Sequence, residues 1–98
     1  MNHRRSNIQV IADILRLGQA GKTEIMYSAN LSYYQLQKYL DFLTEQGFLG
    51  RLNSGNPTAT YKTTRKGLTL LKRIDGVLAI LSQGDLVASP LFSQGPPL

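Results

Sequence analysis

One block, KTEIMYSANLSYYQLQKYLDFLTEQGFL over Lys22–Leu49, carries its own start, turn and stop signals. Ser32 followed three residues later by Gln35 forms a capping box, in which each residue satisfies a backbone N–H of the other at the start of a helix. Leu36, Tyr39, Leu40 and Leu43 then recur at helical spacing as a buried stripe. Gly47 stands where a helix ends in left-handed backbone geometry. Upstream, Thr23 is placed to cap a short helix running through Ala29, with Ile25 and Met26 inward. Asn30 supplies the turn, because Asn tolerates the left-handed region, and Leu31 points inward to pin the two helices. The block is therefore two helices joined by a tight turn.

The flanks extend this pattern. Asn7–Leu17 places Ile8, Ile11, Ala12, Ile14 and Leu15 on one helical face, with Ser6 as N-cap and Gly18 and Gly21 as stops. Phe48–Leu52 and Thr60–Thr63 read as two strands around the turn-rich tip Asn53–Pro57. Thr63 or Thr64 caps a fourth helix that runs through Gly67 to Leu81 or Ser82. The chain divides into a basic arm (1–5), a helical and hairpin domain (6–63), a C-terminal helix (64–83) and a flexible tail (84–98). This order is that of a winged helix-turn-helix, mainly α with a small β-hairpin wing, a scaffold that places one helix in the DNA major groove. The fourth helix carries more apolar width than one contact requires, which favours a homodimer over the alternative that the tail beyond Gly84 folds back and covers the surplus.

Composition narrows the class. A chain of 98 residues with 42% apolar content holds one small core. There is no Cys, so neither a disulfide nor a thiolate metal site is available. The longest near-apolar run, Val77–Leu81, is too short for a membrane span, and the start MNHRRSN leads into an amphipathic helix, not a signal core. These features imply a soluble, cytoplasmic, nucleoid-associated protein. The net charge is +5, and residues 1–75 carry all 11 Lys and Arg and five of the six acids. A basic body of this kind suits a polyanion.

With Leu36, Leu40 and Leu43 inward, Tyr34, Gln37, Lys38, Asp41 and Glu45 of the third helix face outward, and Tyr33 and Gln35 lie on its flanks near the N-terminal end. That end is the one a recognition helix presents to base edges. Gln35 and Gln37 suit the two edge groups of adenine, and Lys38 suits guanine or a phosphate. Tyr33 and Tyr34 offer hydroxyls to phosphates or rings to sugars and thymine methyls. Lys22, Arg51, Lys62, Arg65 and Lys66 are candidate phosphate clamps, with Arg4 and Arg5 as a short basic arm. Asp41, with Lys38 as an i, i+3 partner, and Glu45 oppose phosphate, which confines readout to the first two turns. The tip carries no charge, so either Arg51 makes the minor-groove contact or the tip only rests on the backbone.

Catalysis finds no support in the sequence. His3 is the single His, the acids stand apart, and no nucleophile has a base partner. No cofactor, metal or small-molecule ligand is implied. The rival to duplex binding is a winged helix used as a protein-interaction module, favoured by Asp41, Glu45 and the uncharged tip. An effector, if there is one, would lodge at the dimer interface.

Over Ile8 to about Ile74 the chain resembles the small archaeal winged-helix DNA-binding proteins of the Sulfolobus ten-kilodalton type. The likeness rests on IADILRL (Ile11–Leu17), KTEIMYSANLSYYQLQKYLDFL (Lys22–Leu43), GFL (Gly47–Leu49) and YKTTRKG…LL (Tyr61–Leu71). It implies a winged-helix dimer that binds DNA, its fourth helix pairing with a twofold mate as an antiparallel coiled coil. Here that pairing would fall on Leu70, Ile74, Val77, Leu78 and Leu81. Gly76 departs from the pattern and would interrupt the helix, making the coiled coil short or more compact.

Overall fold

The computed structural model describes residues 6–52 and 59–83. The arm, the tip Asn53–Pro57 and the tail from 84 lie outside them. Helix α1 (Asn7–Arg16) opens on Ser6 with a full capping box: the Gln9 N–H donates to Ser6 Oγ (3.2 Å) and the Ser6 N–H to Gln9 Oε1 (3.0 Å). Gly18, at φ +79°, turns the chain out of the helix. The buried face of α1 is Val10, Ala12, Ile14 and Leu15. Ile8, expected inside, is exposed because it lies in the first turn, ahead of the core.

A third strand, β1 (Gln19–Gly21), joins the two foreseen, β2 (Leu49–Leu52) and β3 (Thr60–Thr63), in the order β1-β3-β2. Both pairings are antiparallel, with Gln19 opposite Lys62 and Leu49 opposite Thr63. Thr63 anchors this corner. Its N–H donates to Gly18 O (2.7 Å) and its hydroxyl to Leu15 O (2.8 Å), so a buried polar side chain is fully satisfied.

Helix α2 (Lys22–Ser28) starts two residues earlier than a cap at Thr23 would place it. Gly21 is its N-cap, without a side-chain bond, because pairing of β1 fixes where the chain turns. Asn30 adopts φ +55° as expected. Helix α3 (Tyr33–Glu45) opens on the Ser32 and Gln35 box, with bonds of 3.1 and 3.0 Å, and leaves through Gly47 at φ +81°.

Helix α4 (Arg65–Gln83) begins at Thr64, not Thr63: the Gly67 N–H donates to Thr64 Oγ1 (3.0 Å), whose hydroxyl donates to Gly47 O (2.6 Å). Gly67 is required where α4 crosses the start of β2, since a Cβ there would run into the Phe48 carbonyl oxygen. Gly76 does not interrupt α4, which is continuous through it. Ile14, Leu15, Ile25, Leu36, Leu40 and Leu43 are the largest fully buried side chains. Leu70 and Leu71 of α4 pack against this core, and Ile74 is 8% exposed. Arg16 Nη1 at the end of α1 donates to both oxygens of Asp75 (3.1 and 2.9 Å), an exposed tie between α1 and α4.

Candidate nucleic-acid interface

The capping box sets the direction of α3 and leaves its first turn uncovered. Tyr33 and Tyr34 are 61% and 71% exposed there. Lys22 Nζ lies 5.8 Å from the Tyr33 ring centroid and Lys38 Nζ lies 5.4 Å from that of Tyr34. An ammonium within about 6 Å of an aromatic face is attracted by the ring quadrupole. Lys22 arrives from α2. Lys38 stands on the other flank, where it borders an open groove of about 460 Å³ against Ile11 of α1. Two cations therefore bracket two exposed rings at one end of α3. Tyr34 and Lys38 are i, i+4 neighbours on α3, but nothing in the spacing of the sequence shows the other pair, because Lys22 meets Tyr33 only once the helix-turn-helix has closed.

The glutamines are placed differently from expectation. Gln35 Oε1 is held by the Ser32 N–H. Gln37 is engaged at both ends: its Oε1 accepts from Lys22 Nζ (3.2 Å) and its Nε2 donates to Asp41 Oδ1 (3.3 Å). Neither presents both edge groups to adenine while these bonds stand. Asp41 takes Gln37 as its partner here in place of Lys38, because i, i+4 brings their side-chain ends together.

The candidate clamps separate into three places. Lys22 and Lys38 flank the first turns of α3. Arg51 and Lys62 lie on opposite faces of the hairpin. Arg51 is paired with buried Tyr61, so its stem leaves the ribbon on the core side, whereas exposed Lys62 pairs with Gly50 and Gln19 on the far side. Arg65 and Lys66 start α4 at the opposite end of α3. Lys66 Nζ donates to Gln46 O (2.8 Å) and lies 5.2 Å from the Phe48 ring centroid, so it satisfies a free carbonyl at the end of α3. Lys66 is thus not grouped with Lys22 and Lys38. Arg4 and Arg5 lie outside the described residues.

Among the described residues, no group of three or more His, Cys, Asp or Glu is arranged to hold a metal ion. No helix among them is long and apolar enough to cross a membrane.

The helix-turn-helix, its capped third helix and the β2–β3 hairpin match a family model described as winged helix-turn-helix over residues 4–82. The chain belongs to the winged helix-turn-helix family. The structure is similar to that of Sso10a-2, a DNA-binding protein from Sulfolobus solfataricus. That likeness covers 96% of this chain and 100% of that one, with a TM-score of 0.79 and 27% identity. The chain is thus similar over nearly its whole length to a small archaeal winged-helix protein. The transcriptional regulator BldR from the same organism shares the fold, with a TM-score of 0.73 and 16% identity over 84% of this chain and 63% of that one. An uncharacterized protein of Methanocaldococcus jannaschii is 44% identical over 50 residues, 48% of this chain. The chain's match spans about half of that relative's length, 52%. Within the winged-helix frame, α3 is the helix after the tight turn, β2–β3 is the wing, and β1 is the short strand that closes the sheet.

The winged-helix α4 carries the residues expected at a dimer contact, and the structure divides them. Leu70 and Ile74 are covered by their own domain, and Leu78 is half-buried. Val77 and Leu81 are exposed at 53% and 39%, joined by Ile80 at 67%, a residue outside the expected contact.

Proposed function

We propose that the chain binds duplex DNA as a homodimer and serves as a transcription regulator or a local chromatin protein. The observation that carries this reading is the first turn of α3, where Tyr33 and Tyr34 stand exposed under the ammoniums of Lys22 and Lys38. Helix α3 is the groove-facing helix in this fold, and cations at its leading end meet the phosphates that border the groove. Arg51 adds a contact from the wing strand on the core side. Gln35 and Gln37 reach base edges only by releasing their present bonds. Phosphate contact therefore contributes more than base readout, and affinity varies little with sequence. Lys62, Arg65, Lys66, Arg4 and Arg5 add to the positive field around that contact. The DNA-binding description of Sso10a-2, similar over 96% of this chain and 100% of that one, supports the same partner.

The homodimer is formed through the C-terminal half of α4. Leu70, Ile74 and Leu81 lie within about 40° of one another around the helix axis, so one stripe runs on past the core with Val77 beside it. Its outer part stands bare in a single chain.

The test is a fluorescence-anisotropy titration of labelled duplexes, random and genomic, at several salt concentrations. Three phosphate contacts per protomer, from Lys22, Lys38 and Arg51, give a slope of log K against log salt of about −5 for the dimer. Uniform affinity across probes marks a chromatin protein and probe-dependent affinity a regulator. No binding at low salt rejects the reading and leaves α3 as a protein-docking face, which Asp41 and Glu45 would suit.

A further inference from the structure

The leading end of α3 has little base-edge chemistry to offer and much aromatic surface. Gln35 is tied into the cap, Gln37 is bonded at both ends, and α3 contains no Arg. What remains outermost is two phenol rings, each beside a lysine ammonium. Exposed rings beside cations are the elements of single-strand recognition: a base stacks on the ring because every base has a π-face, and the cation meets the adjacent phosphate.

We infer that Tyr33 and Tyr34 form a stacking platform for the bases of an unpaired DNA strand, with Lys22 and Lys38 on its phosphates. The choice of DNA over RNA rests on the reading above; the stacking itself does not. Consecutive helical residues project about 100° apart around the axis, so the rings cannot sandwich one base. Each takes its own, and the strand bends over the end of α3. Asp41, one turn beyond Gln37, repels the backbone from the middle of α3 and holds the track to its first turn. The hydroxyls are not part of the contact, which is made by the ring faces. Because stacking tolerates any base, the platform favours melted or gapped DNA without regard to sequence.

The experiment compares three labelled probes by anisotropy: a twelve-nucleotide thymidine strand, an abasic strand of the same length, and a duplex. The two single strands carry the same phosphates, so their difference reports base stacking alone. The expected result is thymidine-strand binding about tenfold tighter than abasic per ring engaged. Replacing both tyrosines by leucine (Y33L, Y34L) is expected to abolish that difference, and replacing both by phenylalanine (Y33F, Y34F) to retain it. Both positions are exposed, so the fold is kept, which circular dichroism checks. Equal affinity for the two strands in the native chain overturns the inference. So does a preference that survives the leucine pair or is lost in the phenylalanine pair. The duplex probe judges the duplex reading separately: binding to the duplex without a base-dependent difference between the single strands rejects the platform and leaves the duplex reading standing.

Discussion

At the scale of single residues, several polar side chains of the candidate interface serve the fold as well as the surface. Ser32 and Gln35 satisfy each other's N–H groups, and Gln37 links Lys22 to Asp41. Lys38, by contrast, has a loose contact to a ring and its stem on the rim of the groove. Lys38→Ala is therefore expected to leave thermal stability unchanged, to weaken DNA binding for all duplex sequences alike, and to lower the magnitude of the salt slope by about 1 per protomer. Anisotropy beside a melting curve checks it. An unchanged affinity would remove the leading end of α3 from the interface. Asp41 and Glu45 are legible from their spacing alone as acids on the outer face of α3. The engagement of Gln37 was not, because Lys22 lies fifteen residues away and meets it through a tertiary contact.

At the scale of elements, local signals and long-range pairing acted on different parts. The capping boxes at Ser6 and Ser32 and the left-handed turns at Gly18, Asn30 and Gly47 are satisfied within a few residues, and each was readable where it stands. Strand β1 was not. Three residues, with Gly18 before them and Gly21 among them, have no visible alternation, and their ladder with β3 exists only because the chain returns from Gln19–Gly21 to Thr60–Lys62. The same pairing moved the N-cap of α2 from Thr23 to Gly21. The two glycines of α4 show the contrast most directly. A Cβ at Gly67 would meet the Phe48 carbonyl oxygen, with Thr63 Cγ2 at 2.9 Å, whereas Gly76 has nothing within 4 Å. Gly67→Ala is expected to destabilise by about 3 kcal/mol or more. Gly76→Ala is expected to stabilise by about 0.5–1 kcal/mol, since Ala restricts the unfolded chain and suits a helix. Urea denaturation of both variants checks the pair, and equal effects would contradict the packing described.

At the scale of the whole molecule, α4 decides how the domain is completed. Its first half packs Leu70 and Leu71 against the core and leaves Leu68 exposed, and its second half carries Val77, Ile80 and Leu81 to the surface. Val77→Glu with Leu81→Glu is expected to give folded monomers in sedimentation equilibrium, with a lower melting temperature that no longer depends on protein concentration. A persisting dimer would place the interface elsewhere. Ile74→Glu is expected to behave differently and to unfold the domain, because it puts a charge at a position only 8% exposed.

The sequence by itself determined the class of fold, the helix-turn-helix with its caps and stops, the hairpin strands and the polar face of α3. Each of these follows from residue types interacting within one or two turns. Only the tertiary structure decided that β1 exists, that Lys66 closes α3, that Arg51 and Lys62 leave opposite faces of the hairpin, and that Lys22 stands over Tyr33. Those facts depend on segments far apart in the chain meeting around one core, and no local pattern encodes which side chains then become neighbours.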